Sequence, residues 1–254
     1  MIVKVGGCYG GVAPGYNSVG FLLNESLLLE GGTVTSVFSP AEQEAIKHIL
    51  VSHIHLDHTK EIFFLLDNLA QLGADAVTLA GTDEVVEGAR KHLFNEQIWP
   101  DFSVLPSEES PVLKFQELPK DVFTRLGEFE IMPIAVNHPV PAAGYIIRDG
   151  GGSIVYTGDT GPTKKIWEAA KREEGLKAVF AETSFPNSME KVAHASGHIT
   201  PALLERELNL LNRPGVPVYV FHMKPLFADK IQEELEALGI AELRILEQGA
   251  VYEF

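Results

Sequence analysis

The run Ser52-His53-Ile54-His55-Leu56-Asp57-His58 carries three histidines and one aspartate. Imidazole and carboxylate are borderline-to-hard donors that suit zinc, iron and similar ions. One tetrahedral site would seldom take four ligands from so short a run, because the side chains crowd one another. Sharing them between two metals relieves the crowding. The competing reading is a histidine-rich surface loop.

Further polar residues recur at a matching place along the chain. His138 follows the apolar run Phe129–Val136, and Asp159 follows Ser153–Thr157. Glu182 follows Lys177–Ala181, and His222 follows Val216–Phe221. Each lies just past the C-terminal end of an expected strand, where loops held by a rigid sheet commonly build sites. Read singly, His138 is an ordinary loop histidine. Asp159, between Gly158 and Thr160-Gly161-Pro162, is a turn or helix cap. The repetition directs them toward one site.

The elements that must position these residues follow from period and breakers. Val19–Leu23 and Ser26–Glu30 read as paired strands and Ile49–Val51 as a buried strand. Asp57–Ala70 reads as one helix with Ile62, Phe63, Leu65, Leu66 and Leu69 inward, and Phe64 also serving the core. Val77–Ala80 and Gly144–Ile147 are expected strands. Helices are expected at Asp83–Leu93, Lys164–Lys171, Pro201–Leu211 and Ile231–Leu238, with a last strand at Leu243–Leu246. Asn95–Leu118, with prolines and little periodicity, reads as a long loop or partly ordered insert. Gly6–Gly11 reads as a loop near the substrate or a tight hairpin. The mixed order predicts one α/β domain over residues 1–254, with helices covering sheets.

Composition narrows the partners. The chain has 254 residues, 45% of them hydrophobic, and a formal net charge of -15. That charge opposes binding of a long polyanion, which relies on Lys and Arg. A small anion remains compatible, because metal ions and a few basic groups dominate a site locally. The lone Cys8 excludes an internal disulfide and a cysteine-based metal site. With no apolar run of about 20 residues and no secretory pattern at the start, a soluble cytoplasmic protein without a membrane partner is expected.

The order His-x-His-x-Asp-His, then a lone His, an Asp after Gly and a final His, resembles the metallo-β-lactamase superfamily in its phosphodiesterase branch. The resemblance covers nearly the whole chain. It implies a four-layer αββα sandwich, two mixed β-sheets between helices. It also implies that His53, His55 and His138 hold one metal, that Asp57, His58 and His222 hold the other, and that Asp159 bridges them. Two divalent ions are expected, zinc first, with manganese or iron as alternatives.

Two further stretches narrow the resemblance. Glu182-Thr183-Ser184-Phe185-Pro186-Asn187 leads to Gly197-His198-Ile199-Thr200-Pro201, and the chain continues to Phe221-His222-Met223-Lys224-Pro225. Together they resemble class II cyclic-nucleotide phosphodiesterases. That pattern expects an apolar residue after the last histidine of the first motif and a small residue two positions later. Here these are Thr59 and Glu61. RNase Z, a tRNA 3′-processing endonuclease, resembles the chain in the same Glu182 and His198 motif. It usually carries a tRNA-gripping arm between the lone His and the bridging Asp, and the 20 residues between His138 and Asp159 leave no room for one.

The expected reaction is hydrolysis of a 3′,5′-cyclic nucleotide, cyclic AMP or cyclic GMP, to a nucleoside 5′-monophosphate. Two metals acidify a bridging water to hydroxide, and Asp57 orients it or accepts its proton. His198, with Glu182 fixing its ring, is the expected acid for the leaving alkoxide; the plainer role is capping the helix from Pro201. Lys224 pairs with a phosphate oxygen or is a surface lysine. His48, His92 and His194 read as surface or packing residues. The alternatives are an RNase Z-like or other phosphodiester hydrolase, a lactone or thioester hydrolase, and a metal-dependent binding or sensor protein. A homodimer is implied by resemblance only.

Overall fold

The computed structural model describes residues Met1 to Phe254. The chain opens with β1 (Ile2–Gly7), β2 (Gly20–Leu23), β3 (Leu27–Leu29), α1 (Pro40–Ala45) and β4 (His48–Leu50). Then come α2 (Leu56–Thr59), α3 (Ile62–Leu72), β5 (Val77–Gly81) and α4 (Asp83–His92). A small hairpin, β6 (Pro106–Ser107) with β7 (Ser110–Pro111), precedes β8 (Leu113–Glu117), β9 (Thr124–Leu126), β10 (Phe129–Ala135), β11 (Ala143–Arg148) and β12 (Ser153–Tyr156). The last part holds α5 (Lys165–Arg172), β13 (Leu176–Glu182), α6 (Glu190–Ser196), α7 (Pro201–Leu211), β14 (Val218–Phe221), α8 (Ala228–Ala237), β15 (Leu243–Ile245) and β16 (Val251–Glu253).

Two seven-stranded sheets result, in the orders β16-β1-β2-β3-β4-β5-β8 and β15-β14-β13-β12-β11-β10-β9. Each is antiparallel in one half and parallel in the other. Between the sheets lies a core that includes Phe21, Tyr145, Tyr156, Phe180 and Phe221. A second core packs the first sheet against α1, α3 and α4, around Leu28, Ile62, Leu66 and Val85. A third packs the second sheet against α5, α7 and α8, around Trp167, Leu204 and Ile231. The layers are therefore helix, sheet, sheet, helix, the αββα sandwich expected. No helix is long and apolar enough to cross a membrane.

Strand direction places the site. β10 and β12 both pair antiparallel to β11, so they run the same way, and β13 and β14 are parallel to β12. Their C-terminal ends therefore share one sheet edge, and from that edge come His138, Asp159, Glu182 and His222. β4 of the other sheet leads into His53–His58. The two edges are tied by Ala143 N–H donating to Ser52 O at 3.0 Å and by Tyr145 OH donating to Val51 O at 2.6 Å.

Two expectations need correction, and two others resolve between the readings they left open. The single helix Asp57–Ala70 is two, α2 and α3, because Gly31 intervenes: its N–H donates to His58 O at 2.6 Å, and its carbonyl accepts from Glu61 N–H at 2.9 Å. Phe64 is 51% exposed, against the edge of Trp99, while Phe63 and the other four inward positions are buried. Asn95–Leu118 is not a plain loop. It holds the β6–β7 hairpin and β8, an edge strand parallel to β5, anchored by buried Phe102, Val112 and Leu113. Gly6–Gly11 is no hairpin: Gly6 and Gly7 end β1, an inner strand of its sheet, and the rest is a loop.

The chain termini join the first sheet as neighbours, β1 pairing with β16 through Ile2↔Glu253 to Lys4↔Val251. Neither strand, nor α1 and α6, stands out in the sequence, since each is only 3 to 7 residues long.

Candidate metal centre

The seven donors named from the sequence converge in two groups. In the first, His53 Nε2 lies 3.0 Å from His55 Nδ1, and His138 Nε2 lies 3.3 Å from the same atom. In the second, His58 Nε2 is 3.3 Å from His222 Nε2, and Asp57 Oδ2 is 3.4 Å from His222 Nε2. Asp159 Oδ2 stands 3.2 Å from both His58 and His222 and 3.7 Å from His53 Nε2, so it faces both groups. Within each group all donor atoms lie within 4.8 Å of one another.

These distances test the fit to a cation. A tetrahedral ion with bonds of roughly 2.0–2.1 Å sets its donors about 3.3–3.4 Å apart. The observed contacts are close to that edge length. Asp159 Oδ1 is buried and has no hydrogen-bond partner in the protein, which a second metal bond would supply. The residues present fit two cations that share Asp159.

Charge state agrees. Burial chiefly lowers the proton affinity of His53, His55, His138 and His222, leaving lone pairs free near neutral pH. Burial also pulls His58 down, but Asp159 and Glu30 outweigh it and raise its basicity. For Asp159, burial opposes charge, and His222 and His58 overcome it and hold the carboxyl well below the usual range. Asp57 behaves in the same way through His222 and His58.

Partners behind the rings fix which nitrogen faces inward. His53 Nδ1 is 3.0 Å from Ser52 Oγ, His138 Nδ1 donates to Gly197 O at 3.0 Å, and His222 Nδ1 lies 2.8 Å from Ser184 Oγ. His58 Nδ1 faces Glu30 Oε2 at 3.4 Å. Sequence reading gave no role to Glu30, Ser52 or Ser184. One sign of Glu30 was available, a carboxylate ending the apolar run Leu27–Leu29. Its backbone, like that of His222, is left-handed, with φ of 63° and 68°, a conformation non-glycine residues adopt only when their surroundings enforce it.

His198 does not cap the helix from Pro201; Thr200 Oγ1 does, accepting from Leu203 N–H. His198 instead sits beside the centre, its ring 5.3 Å from those of His138 and His222. Its Nδ1 lies 2.8 Å from Glu182 Oε1, and both residues are buried. Burial works against protonation of His198, and Glu182 more than reverses it, raising its proton affinity. Ser184 Oγ links the set, donating to Glu182 Oε2 at 2.9 Å while accepting from His222 and His198. Glu182, His198 and His222 are close enough to suggest a third cation group. Their facing atoms are already hydrogen-bonded through Ser184, so that group needs no ion.

Lys224 Nζ lies 3.9 Å from Asp57 Oδ2 and is 27% exposed, so it is a cation at the centre's edge and not a free surface lysine. His48 packs half-buried near Gly127, and His194 and His92 are exposed; none of the three belongs to a donor group. The departures at Thr59 and Glu61 have structural causes. Thr59 Oγ1 donates to His55 O at 3.0 Å. Glu61 accepts from Val34 N–H, Ser36 N–H and the hydroxyls of Thr35 and Ser36, tying α3 to the loop after β3.

Residues 30–223 match the beta-lactamase superfamily domain. The chain is similar to 3′,5′-cyclic-nucleotide phosphodiesterase 1 of Saccharomyces cerevisiae, 29% identical over 244 residues, which span 80% of this chain and 65% of that relative. In three dimensions it is similar to unliganded yeast PDE1, with a TM-score of 0.84 at 20% identity over 98% of each chain. It is also similar to the short form of human tRNase Z, with a TM-score of 0.72 at 15% identity over 100% of this chain and 99% of that one. At such identities the structural likeness shows a shared fold.

Proposed function

The chain belongs to the beta-lactamase superfamily, and from that premise we propose that residues 1–254 act as one two-metal phosphodiesterase domain opening a 3′,5′-cyclic nucleotide to a nucleoside 5′-monophosphate. The observation that carries the reading is the placement of the buried Glu182–His198 pair against both donor groups. A centre that only bound metal would have no use for a protonated imidazole there. The relative named as a cyclic-nucleotide phosphodiesterase supports the substrate class.

His53, His55 and His138 would hold one ion, Asp57, His58 and His222 the other, and Asp159 both. When bound, two divalent cations supply positive charge for the phosphoryl oxygens and a nucleophile active at neutral pH. Asp57, held ionised by His222 and His58, is too weak a base to take a proton and would instead accept a hydrogen bond from the attacking water, orienting it in line with phosphorus. Lys224 Nζ pairs with a non-bridging phosphate oxygen. His198, with Nδ1 on Glu182, presents Nε2 to the departing 3′-oxygen and protonates it, which a sugar alkoxide requires. Glu182 keeps that ring oriented and stabilises its charged form.

The assay offers zinc-loaded and manganese-loaded protein cyclic AMP, cyclic GMP, bis(p-nitrophenyl) phosphate and a pre-tRNA. Hydrolysis of a cyclic nucleotide to the 5′-monophosphate is expected. Cleavage of pre-tRNA with inert cyclic nucleotides would show an RNase Z-like enzyme instead. Turnover of lactones or thioesters alone would place the chemistry in another ester class. Bound metal without any turnover would indicate a binding protein.

A further inference from the structure

A 3′,5′-cyclic nucleotide carries its base one ribose away from phosphorus. The base must therefore lie in a hollow that adjoins the donor cluster without being part of it. A cleft lined by residues close in sequence to His53, His55 and His138 fits that condition. It has a volume of about 410 Å³ and lies between α4 and the loop after His138, a size within the range of small-molecule sites. Ile54, flanked in sequence by His53 and His55, forms one wall, and Val140 and Pro141, just after His138, form another. Val85 and Gly88 of α4 close the back. A Cβ on Gly88 would come 3.1 Å from Ile54 Cδ1, so the glycine lets the helix lie directly against that wall. Glu84, Glu87, Lys91 and His92 complete the lining as its polar side.

Four other surface cavities are lined by no residue of the centre or its connecting loops. Leu56 and Leu226, close in sequence to Asp57 and Lys224, are 61% and 88% exposed and line none of these cavities. They are projections, whereas a flat base needs two facing apolar walls.

We infer that the cleft between α4 and the His138–Pro141 loop is the nucleobase subsite, with Ile54 and Val140 against the base and Lys91 at its polar edge. The inference rests on the cyclic-nucleotide reading above and adds the part of the protein that selects the base. It also assigns a role to residues that the metal chemistry leaves unused.

The test uses methyl-labelled, zinc-loaded protein titrated with AMP and, separately, with ribose 5-phosphate. The methyls of Ile54, Val85 and Val140 should shift with AMP and not with ribose 5-phosphate. Val140→Trp, which fills the cleft, should lower kcat/KM for cyclic AMP about tenfold relative to that for methyl p-nitrophenyl phosphate, which has no base. Shifts confined to Leu56 and Leu226 would overturn the inference, as would equal responses to both ligands or none. Wild-type protein that cleaves the methyl ester but no cyclic nucleotide would overturn the proposed function instead. The AMP titration would still decide the subsite in that case.

Discussion

Nδ1 of His198 and Oε1 of Glu182 are 2.8 Å apart, with the His198 side chain 8% exposed and that of Glu182 fully buried. So close a pair, shielded from water, fixes the ring and favours its protonated form. His198→Ala should lower kcat for cyclic AMP by about 10²–10⁴-fold, the usual contribution of a general acid. Turnover of bis(p-nitrophenyl) phosphate should fall much less, because p-nitrophenolate departs without a proton. Bound metal per chain should not change. Loss of metal would make His198 a ligand and remove it from the acid's role.

Ser184 gives a second prediction. Its hydroxyl lies 2.8 Å from His222 Nδ1 and donates to Glu182 Oε2 at 2.9 Å. Ser184→Ala removes the group that keeps the His222 proton on Nδ1 and Nε2 free. Loss of such a partner typically weakens metal binding by about 10–100-fold. Chelator competition, read as free zinc at half-saturation, measures it. An unchanged affinity would show that the packing of His222 alone suffices.

The seven donors that converge in two groups were legible in the sequence because their pattern is local. Four lie within His53–His58, and the others each follow an apolar run that ends at the same sheet edge. The residues that orient them were not legible. Glu30 meets His58, and Ser184 meets His222, only after separate strands have packed together. The same limit explains the misread helix at Asp57–Ala70. Its apolar spacing is continuous, but a distant backbone group, Gly31, captures the hydrogen bonds at His58 and Glu61. In Asn95–Leu118 the prolines masked β8, whose pairing with β5 is non-local.

Glu61 sets a pH-dependent test of stability. Burial opposes ionisation of its carboxyl, but hydrogen bonds from Val34 and Ser36 N–H outweigh it and hold it below the ordinary range. A folded-state value below the unfolded one, roughly 4–4.5 for Glu, contributes stability that is fully present above that pH. The contribution is lost as pH falls through the lower folded value. Glu61→Gln should cost about 1.5–3 kcal/mol at neutral pH, the usual worth of a hydrogen bond to a charged group. The gap from wild type should shrink in acid. Urea unfolding at neutral pH and at roughly pH 3, below the unfolded value, compares the two; a gap of constant size would mean that charge is not what Glu61 contributes.

Gly10 presses directly on a proposed ligand. A Cβ there would fall 2.5 Å from His222 O and 2.7 Å from its Nδ1. Neither backbone can easily retreat: His222 N–H donates to Cys8 O at 2.7 Å, and Gly10 N–H donates to Met223 O at 3.1 Å. His222 is already held at a φ of 68°, so a further shift must move its ring. Gly10→Ala should therefore displace Nε2 from Asp57, His58 and Asp159, while leaving His53, His55 and His138 in place. Metal content after dialysis should fall from two ions toward one. Overpacking of this kind should also cost about 1–3 kcal/mol of stability. Metal analysis with thermal unfolding reads both effects. Two retained ions with full activity would show that the contact between Gly10 and His222 does not position the ligand.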